Sequence, residues 1–198
     1  MICPKCKVDL FLDKTKNNEW HPCDYYKCPS CLSHNRNRIL YLLLKDRDNG
    51  HTLEYAPVRI LKEFVNISAD FPPRERNSEV YTAELNDDLR SSQFNDNEFD
   101  TVICGCVLDA VDDDEAAIKE LHRITKKTAF VSIPVFDVEE TIEYGKLLPG
   151  NYEHYRKPNI DYFNKLNIFK TVEIISGSNH KDALLYGLEG EYVAICQK

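Results

Sequence analysis

An α/β sandwich around a mainly parallel sheet, preceded by a small cysteine-rich module, is the fold class this sequence predicts, and three observations predict it. From Thr52 onward short apolar runs alternate with longer amphipathic ones, the rhythm of strands separated by helices. Five of the eight cysteines (Cys3, Cys6, Cys23, Cys28 and Cys31) crowd the start of the chain. Charge divides at the same place: residues 1–50 carry +3 and the remainder −11 of the formal −8.

The 198 residues, 42% of them apolar, suffice for one sizeable core and a satellite module but not for two full domains. With 29% charged residues and a net −8, the chain is too apolar for a disordered polymer and too acidic to coat nucleic acid or anionic lipid by bulk charge. No apolar run approaches the roughly 20 residues of a membrane span, so no membrane partner is expected. The opening Met-Ile-Cys-Pro-Lys-Cys is not a basic-then-apolar leader and predicts a cytoplasmic protein, where cysteines need a reason other than disulfides.

Cys3-Pro-Lys-Cys6 and Cys28-Pro-Ser-Cys31 supply that reason: two C-x-x-C knuckles separated by 21 residues match a four-cysteine zinc ribbon over residues 1–35. Each knuckle aims two thiolates at one point, and four thiolates leave no open coordination position, so Cys3, Cys6, Cys28 and Cys31 are expected to hold a structural Zn²⁺. Cys23 could replace Cys28 as a ligand, but the shared C-P-x-C form favours Cys28. Buried thiols used as small hydrophobes, or a redox pair, explain the repeated form less well. A linker helix is expected over 36–50, with Ser33 as N-cap and Leu40, Leu43 and Leu44 on one face, before the turn Asp48-Asn49-Gly50. Arg36 and Arg38 on it are read as solvated or ion-paired, with phosphate contact the alternative.

In the domain expected over 51–198, strands are predicted at 53–55, 66–69, 79–82, 101–104, 129–133, 171–175 and 192–196. The clearest helix is 113–124, where Ile118, Leu121 and Ile124 make an apolar stripe and Asp112 to Glu115 place negative charge at the positive end of the dipole. That acidic run is read as helix start and solvated surface, against a metal cluster.

Phe99-Asp100-Thr101-Val102-Ile103-Cys104-Gly105-Cys106-Val107-Leu108-Asp109-Ala110-Val111 resembles the fourth-strand segment of class I S-adenosylmethionine-dependent methyltransferases. Glu120-Leu121-His122-Arg123-Ile124 and the following strand resemble their next unit. The order of the C-P-x-C pairs, C-x-S-x-x-R-x-R and Leu53-Glu54-Tyr55-Ala56-Pro57, continuing through Glu153-His154-Tyr155-Arg156 to the last strand, is similar to a subgroup carrying a zinc ribbon ahead of that Rossmann-like fold. The resemblance implies a seven-stranded sheet and a transferase that binds S-adenosylmethionine across the carboxyl ends of the parallel strands.

Glu54, Tyr55, Ala56 and Pro57 then occupy the cofactor loop after the first strand, where glycines are usual and none is present. Asp70 takes the place of the carboxylate that accepts ribose hydroxyls, or simply begins a polar turn; Glu84 maps near the adenine position. Cys104 and Gly105 border the active-site mouth, the thiols of Cys104 and Cys106 as core and pocket lining. His154 is the candidate general base and Arg156 the candidate anion-binding group, with ordinary surface roles as the alternative for both. The methyl acceptor, small molecule or macromolecule, is left open. The competing reading is a catalytically inactive, methyltransferase-like zinc-binding module acting through protein or nucleic-acid contacts. Nucleic acid is not expected, because only +3 is available and Trp20, Tyr25 and Tyr26 serve equally to pack the ribbon. The sequence carries no signal of oligomeric state.

Overall fold

The structure is a computed structural model describing residues 1–13, 26–71, 82–146 and 154–198; Trp20, Cys23, Tyr25 and Glu153 lie outside these. Its elements are β1 (Phe11–Leu12), β2 (Tyr26–Lys27), α1 (Asn35–Leu44), β3 (Thr52–Tyr55), β4 (Ile67–Asp70), β5 (Leu85–Asn86), β6 (Phe99–Gly105), α2 (Asp114–Ile124), β7 (Thr125–Ile133), β8 (Ile142–Glu143), β9 (Arg156–Lys157), β10 (Thr171–Ser176), α3 (Ala183–Tyr186) and β11 (Tyr192–Gln197). Seven strands make one sheet in the order β10-β11-β7-β6-β3-β4-β5. Strands β3 to β7 are parallel, and β11 and β10 extend the β7 edge antiparallel. This is the mainly parallel, Rossmann-like sheet that the sequence predicts. The chain winds from β3 out to β5 on one side and from β6 to β7 on the other, so the winding reverses between β3 and β6.

Alternation along the strands sends side chains to two cores. Leu53, Tyr55, Val102, Cys104 and Val131 pack with Ala117, Ile118 and Leu121 of α2 and with Tyr162, Phe163 and Leu166 of the 3-10 segment Ile160–Ile168. On the other face Ile103, Phe130, Val193 and Ile195 pack with Ile39, Leu40 and Leu44 of α1, with Ile60 and Leu61, and with Cys3 and Cys28. Each fully buried leucine or isoleucine contributes about 1.5–3 kcal/mol through its burial. One apolar layer therefore runs across the boundary expected at residue 50.

The helix expected over 36–50 occupies Asn35–Leu44, with His34 rather than Ser33 at the N-cap. Asn37 Oδ1 accepts from His34 N at 2.9 Å. The helix stops at Leu44, where Asn49 Nδ2 donates to the Leu44 carbonyl at 3.0 Å and Gly50 turns the chain at φ +58°. In α2, Asp113 caps by accepting from Ala116 N at 2.9 Å, as an acidic helix start should. Asp114 departs from the expectation of solvated surface: it is buried and accepts from Tyr162 Oη at 2.6 Å and Lys165 Nζ at 2.8 Å. The strand expected at 79–82 falls largely outside the described residues, and the observed third parallel strand is β5. Two crossovers, β3 to β4 and β5 to β6, carry only the 3-10 turns Lys62–Phe64 and Leu89–Ser91. A Pro-containing link from Tyr55 to Ile67 is too short for a full helix, and α1 covers that face instead.

Arg38, expected in solvent or in an ion pair, is 0% exposed. Its Nε donates to the Tyr186 carbonyl at 2.7 Å, Nη1 to the carbonyls of Tyr26 and Ser33 at 2.7 and 2.8 Å, and Nη2 to Asn35 Oδ1 and the Gly187 carbonyl at 2.9 and 2.8 Å. All five N–H groups are thus spent on neutral oxygens. Burial lowers its pKa to about 10, and the Cys3, Cys28 and Cys31 sulfurs oppose that. Arg38→Met is expected to cost roughly 3–5 kcal/mol in urea unfolding, because it orphans these buried acceptors. Lys45→Met, which removes an exposed pair with Asp46 at the end of the same helix, is expected to leave the unfolding midpoint close to that of the wild type. Equal losses would contradict the role assigned to Arg38.

Candidate functional site

The two knuckles repeat one backbone turn. Lys7 N donates to the Cys3 carbonyl at 3.0 Å and Leu32 N to the Cys28 carbonyl at 2.9 Å; Lys7 and Leu32 both adopt left-handed φ, +60° and +62°. Within each knuckle an amide points at a sulfur, Cys6 N to Cys3 Sγ at 3.4 Å and Cys31 N to Cys28 Sγ at 3.5 Å. The four sulfurs lie within 4.8 Å of one another, with Cys3 Sγ and Cys31 Sγ 3.8 Å apart. A tetrahedron with metal–sulfur bonds of about 2.3 Å has edges of roughly 3.8 Å, so the set fits a thiophilic tetrahedral ion. The Cys3 thiol is held well below its ordinary pKa by the Cys31 contact, with amides of Cys6 and Lys5 adding to it against burial.

A second polar cluster lies at the carboxyl edge of the parallel strands, where open α/β sheets bind ligands. Chain exit from β3 is through Ala56, buried at φ +55°, whose N–H donates to the Ala69 carbonyl at 3.0 Å. Exit from β6 is through Cys106, at φ +53°, whose N–H donates to the Ser132 carbonyl at 2.8 Å. A side chain at such φ costs about 1–2 kcal/mol. Ala56 thus holds the conformation that a glycine would take, and both strained residues flank the reversal point.

Glu54 is buried; its Oε1 accepts from Val58 N at 3.1 Å and closes the turn over Ala56 and Pro57, while Oε2 is buried without a hydrogen-bond partner among the described residues. Burial raises its pKa well above 4.5, and the Val58 amide only partly opposes this. Tyr55 faces the core rather than the crevice: its hydroxyl donates to Asp87 Oδ2, to which Ser92 Oγ also donates at 2.9 Å. Cys104 is likewise a core side chain, its thiol raised in pKa by burial. Gly105 stands at the edge with room for a methyl group, an added Cβ meeting Ser132 Oγ at 3.6 Å. Asp70 ends β4, mostly buried, and its Oδ1 accepts from Phe71 N at 3.1 Å. Glu84 is exposed and precedes β5, at its amino side, because the third parallel strand begins at Leu85. The residue leaving β5 at the carboxyl side is Asp87.

His154 lies at this edge with Nδ1 2.7 Å from Asp109 Oδ2. Arg156, expected to bind an anion, is buried with its donors spent internally. Nη1 donates to the carbonyls of Leu108 and Val111, the latter at 2.8 Å; Nη2 to the Asp112 carbonyl at 3.2 Å; and Nε to Glu143 Oε2 at 2.9 Å. Lys165 joins Glu143 and Asp114 at 2.9 and 2.8 Å, so the β8–β9 hairpin is lashed to α2. Arg36 approaches Glu191 Oε1 at 3.9 Å; Glu191, fully buried, precedes β11 beside the end of β7. Asp109, Ser132 and Glu191 are site residues that sequence reasoning missed; only the Asp within Val107-Leu108-Asp109 stood in a quoted motif.

Glu54 gives a pH prediction. A carboxyl with its folded pKa raised contributes stability below the unfolded value of about 4.3 and loses it as pH rises toward the folded pKa. Glu54→Gln keeps the Val58 contact without that loss. Urea unfolding should show the variant gaining on the wild type between pH 5 and pH 8; a difference independent of pH would refute a protonated Glu54.

Residues 49–133 match the family model described as a methyltransferase domain. Among solved structures, an S-adenosylmethionine-dependent methyltransferase from Thermotoga maritima, described as a candidate histamine N-methyltransferase, superposes with a TM-score of 0.52 at 18% identity, covering 81% of this chain and 88% of that one. A chain from the complex of the Haloferax volcanii Trm112 methyltransferase activator with a protein given as a methyltransferase superposes with a TM-score of 0.54 at 10% identity, again over 81% and 88%. No curated protein matches. Residues 49–133, which carry the strands that form the reversal point, thus match a methyltransferase-domain model, and the α/β body has the fold of the class I S-adenosylmethionine-dependent methyltransferases.

Proposed function

We propose that the protein transfers the methyl group of S-adenosylmethionine to an acceptor held at the carboxyl edge of the sheet, and that its cysteine cluster holds a structural zinc ion. The observation that carries the reading is the pair of strained, non-glycine residues, Ala56 and Cys106, at the two strand ends flanking the reversal point. Backbone strain of this kind persists where a close approach requires it.

When bound, the cofactor supplies an electrophilic methyl group on a sulfonium. The turn at residues 55–58, closed by Glu54, lets backbone rather than bulk border the crevice. Asp70 offers a carboxylate whose two oxygens suit the vicinal hydroxyls of a ribose. Gly105 leaves space at the end of β6. His154 is the base, and Arg156 positions it by clamping the hairpin to the carbonyls of residues 108–112. The four-cysteine set keeps no open position, so its metal would fix the fold rather than act on substrate.

Calorimetry with S-adenosylhomocysteine should show one site of micromolar affinity, and Asp70→Ala should weaken it by about 10-fold or more, the cost of a hydrogen-bonded charged group. Absence of binding up to millimolar ligand would sink the proposal. Metal analysis of the purified chain should give one zinc per chain. Stripping it with a chelator should lower the melting temperature, since the binding energy of such a site is folding energy. A metal-free chain melting like the loaded one would remove the structural role.

A further inference from the structure

We infer that Asp109 is the positioning residue of this site: its buried carboxylate holds the Nδ1 proton of His154, so that Nε2 takes the acceptor's proton as the methyl group is transferred. The inference rests on the methyltransferase reading and assigns a partner to its base.

Asp109 is 0% exposed and lies just beyond Gly105 and Cys106, on the loop leaving β6 at the carboxyl edge. A buried carboxylate is costly unless an opposite charge or donors meet it. Here the opposing groups are His154, with Nδ1 2.7 Å from Oδ2 in an ion-pair contact whose N–H is not aligned on that oxygen, and Arg36 from α1. The approach is fixed by the main chain as well. Tyr155 N donates to the Asp109 carbonyl at 3.0 Å, and Arg156 donates to the carbonyls of Leu108, Val111 and Asp112. Three consecutive residues, 154 to 156, thus bind one loop, which leaves the ring little freedom to turn away.

The charged and titratable groups facing Asp109 are Arg36 from α1, Cys104 from β6, Tyr162 from the 3-10 segment and His154 from the hairpin. Burial pushes the Asp109 carboxyl up, and the His154 contact, helped by Arg36, more than reverses this, so it stays ionised. An ionised partner on Nδ1 selects the tautomer whose lone pair is on Nε2 and stabilises the imidazolium once formed. In the transfer, the acceptor's nucleophilic atom forms its bond to the methyl carbon and the sulfur–methyl bond breaks. The sulfonium becomes a neutral thioether, and the proton lost by the acceptor ends on His154 Nε2.

The test uses the zinc-loaded full chain and diethyl pyrocarbonate, with mass spectrometry reading carbethoxylation of His154. Asp109→Asn, which removes the charge that selects the tautomer, should lose the preference for a proton on Nδ1 in nitrogen-15 spectra. Saturating S-adenosylhomocysteine should slow His154 modification about tenfold in the wild type, which a merely structural pair away from the crevice would not show. Nitrogen-15 spectra of wild-type His154 should show the neutral ring protonated on Nδ1, a readout that needs no variant to fold. A ring protonated on Nε2, a tautomer unchanged in Asp109→Asn, or unprotected His154 in protein that binds S-adenosylhomocysteine would overturn the inference. Absence of S-adenosylhomocysteine binding would instead overturn the methyltransferase reading, with the tautomer still reporting on the pair.

Discussion

The structure depends on a buried guanidinium. Arg38 reaches the second knuckle through Ser33, the small β1–β2 sheet through Tyr26, its own helix through Asn35 and the C-terminal segment through Tyr186 and Gly187. An arginine can do this because its planar fork spreads five donors over a fixed geometry and it stays charged even when burial lowers its pKa. Its charge sits among carbonyl dipoles, beside sulfurs that would carry net negative charge as a metal tetrathiolate. The cysteine module is therefore wired into the face of the sheet that α1 covers, sharing its apolar layer with Ile103, Phe130 and Ile195.

That arrangement frees the carboxyl edge. On the face that α1 and the knuckles occupy, the β3–β4 link shrinks to a single 3-10 turn, Lys62–Phe64. Ala56 and Cys106 lead the chain out of β3 and β6 in left-handed turns, and the β8–β9 hairpin, held by Arg156, Lys165, Glu143 and Asp114, brings His154 over the loop that carries Asp109. The residues that bear on chemistry come from the ends of different strands, and those that restrain them form a charged network on the α2 side.

Legibility in the sequence follows the range of the interaction. The knuckles are local, so Cys3, Cys6, Cys28 and Cys31 announce themselves by spacing, and β6, β7 and β11 are visible as short continuous apolar runs because both faces of the sheet are covered there. Asp109 and His154 meet only through the fold; neither belongs to a periodic pattern, so a histidine could be suspected and its partner could not. Arg38, in Asn-Arg-Asn-Arg, reads as surface because nothing local shows five distant oxygens waiting for it. Tyr55 and Arg156 could be named from their segments, but which way a side chain faces is set by tertiary packing. The first loop reads as a departure for want of glycine, whereas the backbone there keeps the left-handed turn and puts the strain on an alanine.

The central claim is that the crevice at the reversal between β3 and β6 is where this chain binds its cofactor. Hydrogen exchange of the zinc-loaded protein, with and without S-adenosylhomocysteine, tests it most directly. The account predicts slowed exchange in peptides covering residues 55–58, 70–71 and 105–109, with the knuckle peptides unchanged. Protection confined to the knuckles or to the β10 edge, with these loops exchanging as before, would contradict it.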